Sequence, residues 1–183
     1  MTKDNYIKNL DTVCKKLEKF TLYKFDKKPK ELKKAFDIAY KYGLFKLYNF
    51  DKATQDELKL LLFEKLTPYS GSLSFLGIQI LAANSIMAKN DFSRKDKFFN
   101  KKCGIAINHL RIPKTIVKAK RYKDGYLLNG ELTWASGYKI FDKLLIGFHL
   151  DDYECEVVTS FKEKKGFKIV NRPKTFVAMG LNT

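Results

Sequence analysis

The chain has 183 residues, of which 45% are apolar, and its 36 Lys and Arg against 20 Asp and Glu leave a net charge of +16. That length suits one domain or two small ones with a sizeable core, and the balance of apolar and charged residues excludes both a disordered tail and a membrane bundle. The excess charge is 32 Lys against 4 Arg, dispersed as +6 over 1–60, +1 over 61–90 and +9 over 91–183. Surfaces that read nucleic-acid sequence lean on arginine's planar fork, so this distribution favours a solvated lysine-rich surface over a polyanion site.

In chain order, the first part reads as helix. Ile7, Leu10, Cys14, Leu17 and Thr21 keep i, i+3, i+4 spacing, and Val13 and Phe20 widen the stripe. A second helix opens at Pro29, whose missing N–H costs nothing in a first turn, and stops at Gly43. Thr54-Gln55-Asp56-Glu57 has the spacing of a capping box and predicts a third helix over Leu58–Leu66. Residues 67–88 carry no charge but hold Pro68, Ser70, Ser72, Ser74, Gln79, Asn84 and Ser85. That is too polar for a membrane span and predicts a core helix over Ser72–Lys89. Residues 90–102 read as a polar connection.

From Cys103 the pattern becomes strand. Val117, Ala119 and Arg121 alternate with Ile116, Lys118 and Lys120, and Asp124-Gly125 and Asn129-Gly130 are turn dipeptides. Further strands are predicted at Leu144–Leu150, Glu156–Phe161 and Phe167–Val170, with Lys164-Lys165-Gly166 turning between the last two. Helices first and strands after imply an α+β protein, dividing near residue 100.

Cys14, Cys103 and Cys155 are odd in number and far apart, which argues against disulfides or structural zinc and for a reducing, cytoplasmic setting. The N-terminus lacks the apolar centre of a signal peptide. His109 and His149 are isolated from one another, and no P-loop, G-x-G-x-x-G, H-E-x-x-H or G-x-S-x-G is present.

One stretch is more specific. Asp124-Gly125-Tyr126-Leu127-Leu128-Asn129-Gly130-Glu131-Leu132-Thr133-Trp134-Ala135-Ser136-Gly137 resembles the middle domain of the acyl-CoA dehydrogenase family, with its N-G-x-K-x-W-I-[TS] run. Phe141-Asp142-Lys143-Leu144-Leu145-Ile146-Gly147 resembles the strand that follows it there, and Ala39-Tyr40-Lys41-Tyr42-Gly43-Leu44-Phe45 resembles an L-x-x-L-G-L helix end.

The resemblance implies a helical domain over 1–100 and an antiparallel β-barrel-like domain over 101–183, incomplete at its C-terminus. It implies FAD as cofactor and an acyl-CoA as substrate, with Trp134 against the flavin ring, Ser136 at the ring's polar edge and Asn108 at a further flavin-contacting position. A barrel-core role for Trp134 is the alternative.

The segment Ala106–Pro113 departs from the family's A-x-T-E-P-x-x-G-S-D, with His109 in place of the Glu. The family's catalytic carboxylate lies in a C-terminal helical bundle beyond the region that Phe176–Thr183 resembles. The expectation is therefore a homo-oligomer or a second chain bearing that bundle, with no catalytic residue assignable here. The alternatives are a non-catalytic relative serving as an interaction module, and a basic polyanion-binding protein.

Overall fold

Three of the four described α-helices begin where a short polar side chain satisfies orphan N–H groups of the first turn, and the fourth begins at a proline. The computed structural model describes residues 1–20, 28–90, 101–112 and 117–170. Helix α1 spans Lys3–Leu17, with the Thr2 hydroxyl accepting from the Asn5 N–H. Helix α2 spans Pro29–Lys41 with Pro29 in its first turn, and Gly43 takes φ +76° just beyond its end. Helix α3 is Lys52–Leu66 and α4 is Gly71–Lys89, the latter capped by Ser70, whose hydroxyl accepts from Leu73 N–H at 3.1 Å.

Helix α3 corrects the capping-box expectation. Asp51 is the cap, accepting from the Thr54 backbone N–H at 3.0 Å and from its hydroxyl at 2.6 Å. Thr54 therefore lies inside the first turn. A carboxylate both bonds the free N–H groups and meets the positive end of the helix dipole, which favours Asp51 over a hydroxyl three residues on.

The helices share a common cluster: Leu10 and Leu17 from α1, Leu32 and Phe36 from α2, Leu58 and Leu62 from α3, Leu73 and Leu76 from α4, which also buries Ala83 and Met87 in a second cluster. The common cluster takes Leu144, Ile146 and Phe161 from the β-part of the chain. Tyr6 is fully buried and donates its hydroxyl to the Leu44 carbonyl at 3.0 Å. Helix α4 is long and apolar enough by composition to cross a membrane, with a mean hydropathy of 1.4, yet 56% of that window is buried within the fold. Gly77 lets it approach closely, because a Cβ there would lie 3.1 Å from the Phe45 ring.

Five strands form one sheet among the described residues: β1 Cys103–Ala106, β2 Lys118–Tyr122, β3 Gly125–Asn129, β4 Lys143–Leu150 and β5 Tyr153–Ser160. Strand β4 is the hub. It pairs antiparallel with β5 along its whole length, and parallel with β1 from Lys143 to Ile146. Near its far end it meets β2 in parallel, His149 opposite Lys118. Strands β2 and β3 form an antiparallel hairpin.

The expected antiparallel barrel-like domain is thus corrected to an open, mixed sheet. The chain from β1 to β4 is a long connection, which permits parallel pairing where a tight hairpin cannot. Strand β3 pairs only with β2 and β5 only with β4, so the described strands do not close on themselves.

The turns also differ from the dipeptide expectation. The first hairpin turns on Lys123-Asp124, with Lys123 at φ +52°, while Gly125 already pairs with Tyr122. The second turns on Asp151-Asp152, with Asp151 at φ +54°. Asn129-Gly130 ends β3 without reversing it, and Phe167–Val170 forms only an isolated bridge between Lys164 and Phe167. The expectations for Thr21, for Ile116, for most of the 90–102 connection and for Phe176–Thr183 lie outside the described residues.

Candidate functional site

Between β3 and β4 the chain runs irregularly through residues 130–142, and this segment carries Trp134 and Ser136. It is held from below by Leu132, Ala135 and Tyr138, all packed on the main core. Gly137, at φ +83°, accepts at its carbonyl from the N–H groups of Ile140 and Phe141, both at 2.9 Å. That turn drives the Phe141 ring inward. A Cβ would come within 2.4 Å of the ring at Gly137 and within 2.7 Å at Gly104, so the two glycines make the slot the ring fills.

Above this anchor, the Trp134 indole is 40% exposed and donates its Nε1–H to Ser136 Oγ at 3.1 Å. Ser136 is 1% exposed. The hydroxyl is spent on holding the indole, and the ring presents surface to solvent. Trp134 thus stands outside the buried core.

Asn108 is exposed and opens a 3-10 turn, Asn108–Arg111, at the end of β1. The next residue explains why the turn is fixed. His109 is fully buried and its Nε2 lies 2.7 Å from the Gly147 carbonyl on β4, so Nε2 carries the hydrogen and donates. Its equally buried Nδ1 has no hydrogen-bond partner among the described residues. Leu110 seats against Gly147, where a Cβ would fall 2.6 Å away. The sequence marks this histidine only as isolated, because its partner is a backbone carbonyl 38 residues distant, which leaves no local pattern. Among the described residues no hydrogen bond joins Asn108 to Trp134 or Ser136, so the structure couples the latter two and leaves Asn108 on a separate turn.

The start of the sheet is tied electrostatically to α2. Lys102 pairs with Asp37, which also accepts from Lys33 at 2.7 Å. Burial alone would raise the Asp37 carboxyl, but the two lysines together hold it below its ordinary value. The Lys102 ammonium also sits 5.5 Å from the Tyr40 ring centre, and burial, with Tyr48 and Asp142 nearby, pushes the Tyr40 phenol up to about 12. Cys103 is buried and its thiol pushed up to about 12 by that burial, which leaves no reactive thiolate. Among the described residues no three His, Cys, Asp or Glu side chains gather to hold a metal.

Chemically, an exposed indole face locked by a buried hydroxyl suits a planar aromatic ligand. A flavin ring fits Trp134 in that sense, and the exposed Asn108 side chain is free to meet a polar group. Ser136 fits differently from its expected place at the ring's edge, since its hydroxyl lies buried at the indole N–H. No protein-family model matches the chain, and no curated protein matches it.

Proposed function

We propose that the chain is an acyl-CoA dehydrogenase-like flavin-binding protein, in which Trp134 supplies the surface for the flavin ring. The observation that carries the reading is the Trp134–Ser136 hydrogen bond at the head of a segment anchored by Gly137 and Phe141. Ser136 is a positioning residue that acts through the indole, and Asn108 offers a polar contact from the turn beside β4. Bound FAD would supply the acceptor for a hydride from an acyl-CoA thioester. This chain's residues would orient the ring and exclude water from its buried face. The reading gives the role of base to no described residue, and places the protein in the cytoplasm, where its three free cysteines stay reduced.

A non-catalytic relative that serves as an interaction module is the second reading. It is favoured by the burial of the Ser136 hydroxyl, which leaves no described side chain assigned to the ring's polar edge.

A titration of the purified chain with FAD, followed by the emission of its single tryptophan, tests the proposal. The expected result is saturable quenching, a flavin absorption band that co-elutes with the protein, and at least tenfold weaker binding in Trp134→Phe read by that band. Flavin that elutes apart from the protein, with Trp134 emission unchanged, overturns it in favour of the second reading.

A further inference from the structure

On the helical side of the molecule, the ends of α1 and α2 frame a cavity of about 440 Å³ lined by Lys16, Lys19, Phe20, Ile38, Lys41 and Tyr42. Its size falls within the range of small-molecule sites, and its floor is apolar and aromatic. Lys16 extends over the Tyr42 ring, its ammonium 5.8 Å from the centroid.

Lysines are drawn to helix C-termini in any case by the dipole. What sets these three apart is that they line one cavity. On the same two helices and just beyond, Asp11 pairs with Lys65, Glu31 with Lys34, and Asp37 with Lys33 and Lys102. Glu18 accepts from the Tyr69 hydroxyl. Lys16, Lys19 and Lys41 have no ion pair among the described residues. Three lysines without an ion pair among the described residues therefore line one cavity with an aromatic floor.

We infer that this cavity binds a nucleoside phosphate, its base on the Tyr42 and Phe20 floor and its phosphates among Lys16, Lys19 and Lys41. The cations supply point-charge attraction for phosphate oxygens, and the apolar floor supplies the stacking surface that inorganic phosphate cannot use. The inference does not rest on the flavin reading, because the cavity shares no residue with Trp134, Ser136 or Asn108.

ADP, titrated calorimetrically into the full chain, is the probe. The expected result is saturable binding, weakened at least tenfold in the double variant Lys16→Gln/Lys41→Gln. The charge-matched double variant Lys118→Gln/Lys120→Gln, on the exposed face of the β2–β3 hairpin, leaves it unchanged. Adenosine and inorganic phosphate each bind more weakly than ADP. Matching unfolding midpoints for both double variants show that folding is intact. Absence of saturable binding, equal loss in the two double variants, or a single-stranded oligonucleotide that binds more tightly and loses affinity in both variants overturns the inference. The last two outcomes mark general surface charge in place of a site.

Discussion

The Phe141 ring meets the Phe36 ring edge-on, centroids 5.3 Å apart and planes at 87°. One ring belongs to α2 and the other to the segment that carries Trp134, so this contact ties the helices to the candidate site. Phe36 in turn stacks on Phe45 at 5.0 Å. The position of the exposed indole therefore depends on aromatic packing far from it in sequence.

Gly137→Ala tests that anchor. The new methyl would meet the Phe141 ring in a backbone conformation that disfavours side chains. Overpacking and left-handed strain together are expected to cost about 3 kcal/mol. Urea unfolding checks this, with Gly125→Ala as the comparison because a Cβ there meets nothing within 4 Å.

Tyr6→Phe removes the buried hydrogen bond to the Leu44 carbonyl and leaves that acceptor unpaired. The expected loss is about 1–2 kcal/mol, read from the same unfolding curves. The ring itself, packed edge-on to Phe50, stays in place.

The Asp37 pair predicts an acid-side pH dependence. Because Lys102 and Lys33 hold the folded carboxyl below its ordinary value of 3.8, its stabilisation is fully present above that value and is lost as pH falls through the lower, folded one. Asp37→Asn should thus be less stable than the parent at pH 6, by no more than about 1 kcal/mol since the carboxylate keeps contact with water. The gap should close as acidification proceeds below the ordinary value of 3.8. A gap that stays constant with pH would assign the effect to packing.

Ser136→Ala removes the acceptor from the indole N–H. With the ring still 40% exposed in the parent, Trp134 emission should be open to acrylamide quenching, and the variant should show faster quenching and weaker FAD binding. Ser136→Thr, which restores a hydroxyl, should recover both properties. A general loss of stability without change in quenching would contradict the positioning role.

The sequence alone determined the four helices, the division between helices and strands, and the apolar residues that face the core. These follow from local rules: 3.6-residue spacing in Leu10, Val13 and Leu17, Pro29 in a first turn, and Gly43 at positive φ. Local rules were less reliable where two candidates competed at close range, as with Asp51 and Thr54, or Lys123 and Gly125. Trp134 and Ser136 were visible as neighbours in the chain, but not that the hydroxyl would be buried and the indole exposed.

Only the tertiary structure decided how β4 gathers β1, β2 and β5, why His109 reaches Gly147, and which lysines are left without carboxylates. Each depends on contacts between residues remote in sequence, whose spacing leaves no periodic trace. Strand pairing is set by which edges the packed helices leave accessible, and a lysine's ion pair by what the fold brings within reach. Within the +16 that the sequence spreads along the whole chain, it is the fold that brings Lys16, Lys19 and Lys41 to one cavity.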